Sequence, residues 1–92
     1  MVFQLIFTAS YEKRLKYFLK KHPQIKSQYA KAMQILELNP YHPSLRIHRL
    51  QGRLKALHSV SINMSYRISV EFMVEDKKII PVNIGKHDHV YK

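Results

Sequence analysis

The stretch His58-Ser59-Val60-Ser61-Ile62-Asn63-Met64-Ser65-Tyr66-Arg67-Ile68-Ser69-Val70-Glu71-Phe72 alternates in chemical character along its length. His58, Val60, Ile62 and Met64 share one phase, and Tyr66, Ile68, Val70 and Phe72 continue it on even positions. Successive side chains of a strand point to opposite faces, so a period of two predicts two strands with one buried and one solvated face. Asn63-Met64-Ser65 supplies turn chemistry between them, giving an antiparallel hairpin. The odd residues Ser59, Ser61, Arg67, Ser69 and Glu71 are then expected to look outward together.

Working outward from this hairpin, Val74-Glu75-Asp76 is a second turn and Lys77 to Ile84 a last strand, with Ile80, Val82 and Ile84 inward. Pro81 cannot donate to a ladder and points to an edge or a bulge. Gly85 closes this strand and leaves a polar tail from Lys86 to Lys92. Upstream, Leu45 to Leu50 reads as a short strand followed by a Gln51-Gly52 turn, and Pro40 to Ser44 as a turn with two prolines. Before it lie two amphipathic helices. The first is capped at Thr8-Ala9-Ser10, carries Leu15, Phe18 and Leu19 at helical spacing, and stops at His22-Pro23. The second has Pro23 in its first turn and the stripe Ile25, Tyr29, Ala32, Met33, Leu36, and ends at Asn39-Pro40. Tyr11, Phe18 and Tyr29 are expected to fill the helix–sheet core. Val2 to Thr8, β-branched and aromatic, is the first strand. The order β-α-α-β-β-β-β describes a single α+β domain over residues 1–92. Its small, largely antiparallel (mixed) sheet carries both helices on one face.

Ninety-two residues leave no room for a separate cofactor module, and the absence of cysteine excludes a disulfide scaffold or a thiolate nucleophile. Sixteen Lys and Arg against six Asp and Glu give a net charge of +10 with histidines neutral. Such an excess implies an anionic partner: nucleic acid, an acidic protein or an anionic membrane. The excess lies almost wholly in residues 1–58, and the seven basic residues from Lys13 to Lys31 form a solvated helical face. No secretory signal or apolar membrane span is legible, so the expected location is the cytoplasm, with no membrane partner.

The polar sheet face is where chemistry is expected. Arg67 projects from it at mid-strand, Arg46 and His48 from the neighbouring strand, and His87 follows the last strand. Metal-free RNA cleavage needs a base for the 2′-hydroxyl proton, a cation for the phosphate and a proton donor for the leaving oxygen. Histidine and arginine can supply all three. Residue type alone favours a solvated or salt-bridged Arg67, with Glu71 on the same face as a partner, and a core or core-edge place for His58. His87 and His89 flank Asp88 but lack the further ligands of a metal site, so neither metal nor cofactor is expected.

Four landmarks occur in order: His42-Pro43-Ser44-Leu45; His48-Arg49-Leu50-Gln51-Gly52-Arg53-Leu54; Ser59-Val60-Ser61-Ile62-Asn63 running into Tyr66-Arg67-Ile68; and Ile84-Gly85-Lys86-His87-Asp88-His89-Val90-Tyr91. Together they resemble the RelE/ParE toxin superfamily, most closely its RelE/StbE-type branch of plasmid stabilisation proteins. The resemblance implies a small antiparallel sheet with two N-terminal helices, and a toxin of a bacterial type II toxin–antitoxin pair. RelE-like members are mRNA endoribonucleases that cut in the ribosomal A site by 2′-hydroxyl attack, whereas ParE-like members inhibit DNA gyrase.

Carried over by position, Arg67 would contact the scissile phosphate, His87 would act as acid or base, Tyr91 would help position the substrate, and His48 could act as base. Arg46, Arg49, Arg53, Lys55 and Lys86 would bind the RNA. The implied partners are a cognate antitoxin in a heteromeric complex, mRNA, and the ribosome with its 16S rRNA. Two departures stand out: His58 occupies a position where the branch often has tryptophan, and His89 one that is commonly acidic.

Overall fold

A computed structural model describes residues 2–52 and 57–86. β1 (Gln4–Leu5) leads into α1 (Ala9–Lys21), and a 3-10 turn at Pro23–Ile25 joins it to α2 (Lys26–Leu38). A second 3-10 turn at Pro43–Leu45 precedes β2 (His48–Arg49), β3 (His58–Ser61), β4 (Tyr66–Met73) and β5 (Lys78–Lys86). The five strands form one sheet in the order β1-β5-β4-β3-β2. All neighbours are antiparallel except β1, which runs parallel to β5 with Gln4 opposite Lys78.

The helix boundaries follow local chemistry. Thr8 Oγ1 accepts the Tyr11 N–H at 3.2 Å and satisfies one of the orphan donors of α1. His22 leaves the helical region at φ −129°, as a residue before proline must, while its N–H still closes on the Phe18 carbonyl at 2.9 Å. Asn39, before Pro40, is likewise extended and ends α2. In the β3–β4 connection, Asn63 Oδ1 accepts the N–H groups of Ser65 and Tyr66 at 2.8 and 2.9 Å, which fixes the hairpin turn.

The core lies between the helices and the even face of the hairpin. Tyr11, Phe18, Tyr29, Ala32, Met33 and Leu36 meet Val60, Ile68, Val70, Ile79 and Ile84. Burial of each large aliphatic side chain here contributes about 1.5–3 kcal/mol. Tyr11 and Tyr29 share a buried hydroxyl–hydroxyl hydrogen bond of 2.9 Å, which ties α1 to α2. Burial and the neighbouring phenol push the Tyr11 hydroxyl far above the usual tyrosine range, and burial raises that of Tyr29.

Three sequence expectations need correction. In β5 the inward residues are Ile79, Pro81 and Ile84, not Ile80, Val82 and Ile84. The register jumps between Ser69↔Asn83 and Val70↔Pro81, so Val82 is an extra residue bulged out of the pairing. That bulge beside Pro81 shifts the phase of the strand, and Ile80 comes to lie opposite Glu71. Second, the odd hairpin face is not uniformly solvated: Ser59, Ser61 and Ser69 are buried. Their short side chains sit between longer neighbours, His48 at one end of the Ser59–Ser69 row and Asn83 at the other. Third, the strand expected over Leu45 to Leu50 is only His48–Arg49, because Arg46 takes a left-handed conformation (φ 46°) that ends the preceding 3-10 turn.

Candidate functional site

Arg67 sits on β4 opposite Ser61 on one side and Gly85 on the other. Neither neighbour has a side chain long enough to reach it, so the guanidinium is the one long group in its row. Its Nε and Nη1 are buried and make no hydrogen bond. Glu71 lies on the same face but four residues along the strand, roughly 13 Å away at the rise of a β-strand. It is exposed and does not neutralise Arg67. Two buried guanidinium nitrogens without a hydrogen-bond partner carry a desolvation cost, and nothing on the neighbouring strands offsets it.

The next row on the same face runs His48, Ser59, Ser69, Asn83. His48 therefore shares the face of Arg67, two strand spacings away, about 10 Å in the hydrogen-bonding direction. Its Nδ1 lies 3.1 Å from the Arg46 carbonyl oxygen. A carbonyl can only accept, so Nδ1 carries the hydrogen, and in the neutral ring the lone pair is on Nε2, the nitrogen a general base uses. The left-handed turn at Arg46 is what aims this carbonyl at the ring.

The other expected residues divide. Arg49 pairs with His58 and so faces the helix side of the sheet edge, away from Arg67, while Arg46 is exposed on the turn before β2. Lys86 is exposed at the end of β5, paired with Tyr66. Arg53, Lys55, His87 and Tyr91, and the His87–His89 pair, lie outside the described residues. His58 stands edge-on to Phe72 at 5.3 Å with its Nδ1 buried and unpartnered. Burial, with the positive charges of Arg49 and His48 nearby, holds its pKa below the ordinary imidazole value.

One feature was not apparent from the sequence. A cleft of about 460 Å³ opens between the C-terminal half of α1 and the β4–β5 end of the sheet, with Arg14, Tyr17, Lys21, Tyr66 and Lys86 among its walls. Only the i, i+4 spacing of Tyr17 and Lys21 on α1 hinted at it. Lys21 Nζ lies 4.9 Å from the centre of the Tyr17 ring.

No family model matches the chain, and no curated protein matches it in sequence. Solved structures do match over nearly its whole length. Escherichia coli YafQ superimposes with a TM-score of 0.78 at 15% identity, covering 98% of this chain and 99% of YafQ. The chain has the fold of the RelE/YoeB toxins. The same fold recurs in the DinJ–YafQ toxin–antitoxin complex of E. coli, with a TM-score of 0.76, 17% identity and complete coverage of both chains. It recurs again in the RelBE2 toxin–antitoxin complex of Mycobacterium tuberculosis, with a TM-score of 0.69, 14% identity, and coverage of 95% of this chain and 100% of that one. At such identities the toxin fold is common to all of them, while the side chains that would work on it must be judged from this chain alone.

Proposed function

We propose that this protein is the toxin of a type II toxin–antitoxin pair and that it inhibits translation as a metal-independent mRNA endoribonuclease. The observation that carries the reading is Arg67: a guanidinium with two buried, unpaired nitrogens, on the sheet face that also holds His48, in a fold shared with YafQ and RelE-type toxins. The basic surface, +10 overall, suits RNA and ribosomal partners. The antitoxin complexes of the structural neighbours support a protein partner that covers and neutralises it. Among the described residues no helix is long and apolar enough to cross a membrane. A cytoplasmic site of action follows from the substrate.

The chemistry runs as an internal transfer. A base, His48 Nε2 or His87, takes the proton of a 2′-hydroxyl, and that oxygen attacks the adjacent phosphorus. Arg67 neutralises the charge that builds on the phosphoryl oxygens, with two N–H groups able to engage two oxygens. The P–O5′ bond breaks, and a second histidine returns a proton to the departing oxygen. The products are a 2′,3′-cyclic phosphate and a 5′-hydroxyl, with no metal or water consumed. Tyr91 positions the substrate, and Arg46, Arg53, Lys55 and Lys86 hold its backbone.

The test is expression of wild type, Arg67→Ala and His87→Ala with mapping of mRNA ends by primer extension. Cut ends are expected with wild type and not with Arg67→Ala. Intact mRNA together with inhibited supercoiling by purified gyrase would refute the reading.

A further inference from the structure

We propose that the cleft between α1 and the β4–β5 end of the sheet is a second RNA subsite, which holds the single strand beyond the reacting phosphate. The inference deepens the ribonuclease reading and rests on it. Three cations, Arg14, Lys21 and Lys86, line the cleft, and none of its described lining residues is acidic. Tyr17 is 62% exposed and forms part of the cleft wall. A positively charged groove with an open aromatic face is the combination on which single-stranded nucleic acid settles, phosphates on the cations and a base stacked on the ring. Lys21, already over Tyr17, adds a cation–π contribution to such a stack.

Between α1 and β4 the cleft is lined by a cluster of rings. Phe18, His22 and Tyr66 pack ring on ring with centroid separations of 4.9 to 5.3 Å, and the Tyr66 hydroxyl lies 3.4 Å from His22 Nδ1. Continuity with the Arg67 face fixes which strand this would be. Asn83 and Gly85 line the cleft, yet they also pair with Ser69 and Arg67 in the sheet. Gly85 carries no side chain, and Lys86 follows it directly. An RNA chain whose phosphate rests on Arg67 therefore needs to advance only past Gly85 to enter the cleft. An acidic peptide would satisfy the cations but would make no use of the open face of Tyr17.

The probe is a fluorescein-labelled eight-nucleotide RNA carrying 2′-O-methyl at every sugar, which cannot undergo 2′-hydroxyl attack, titrated with the full chain by anisotropy. Tyr17→Ala is expected to weaken binding about tenfold at unchanged salt dependence, and Tyr17→Phe to restore it. Lys21→Ala should lower the slope of log affinity against log salt by about 0.7. Repeating the titration in an Arg67→Ala chain separates the two claims, because the Tyr17 effect persists there even if the chain proves not to be a nuclease. Unchanged octanucleotide binding by both Tyr17→Ala and Lys21→Ala overturns the subsite. So does a pattern in which these variants lose affinity for poly-glutamate while RNA binding stays intact.

Discussion

Replacing Arg67 by methionine should stabilise the protein while abolishing its activity. Methionine has about the length of the arginine stem and no donors, so the change keeps the packing against Ser61 and Gly85 and deletes two buried nitrogens that nothing answers. An unsatisfied buried polar group costs about 1–3 kcal/mol. Arg67 is only half-buried, which places the net gain near the lower end, about 1–2 kcal/mol. For a domain of this size each kcal/mol moves the melting temperature by about 4–8 °C, and the urea midpoint should rise by roughly 1 M. The assay is paired urea and thermal denaturation of wild type and Arg67→Met, followed by circular dichroism, with and without sulfate. Sulfate should stabilise wild type more than the variant, because only wild type offers a site for the anion. Loss of stability in Arg67→Met would refute the idea that the arginine is held uncompensated for a ligand.

Other consequences concern the frame around that site. Tyr29→Phe should cost more than Tyr11→Phe, since it strands the fully buried Tyr11 hydroxyl. The double variant should be more stable than the sum of the two losses implies, a cycle read by urea denaturation. Both phenol pKa values are raised on folding, so their stabilisation is whole below about pH 10 and is lost as pH rises through the folded values. The His58 pKa is lowered on folding, so its contribution is whole above the ordinary imidazole value and falls away as pH drops through the folded one. His58→Phe should flatten the stability profile between pH 7 and 5. Asn63→Ala removes the acceptor of two backbone N–H groups in the β3–β4 turn and should cost about 1–2 kcal/mol, read as a lower urea midpoint.

The fold was legible where chemistry is local. Alternation over residues 58–72 places Val60, Ile68 and Val70 in the core, and His22-Pro23, Asn39-Pro40 and Asn63 mark breaks by mechanisms contained within a few residues. What stayed hidden depends on pairing between distant segments. Pro81 announces an irregularity, but which residue is expelled depends on β4, and the displacement of Val82 reverses the reading of Ile79 and Ile80. The burial of Ser59, Ser61 and Ser69 comes from their neighbours across strands and not from their own polarity. The parallel pairing of β1 with β5 has no signature in either segment. For the site, residue type named Arg67 and His48, but only the register shows that they share a face and that Arg49 does not. The basic helix face looked uniform, and the cleft within it appears only when α1 lies against β5.

The most direct test is cleavage of a defined mRNA on purified ribosomes by wild type and by Arg67→Ala or Arg67→Lys. Wild type should give fragments ending in 2′,3′-cyclic phosphate and 5′-hydroxyl, with a rate lower by about 10²–10³ for Arg67→Ala. Arg67→Lys should recover little, because an ammonium cannot engage two phosphate oxygens as a planar fork does. Cleavage by Arg67→Ala at the wild-type rate, or fragments carrying 5′-phosphate, would contradict this mechanism.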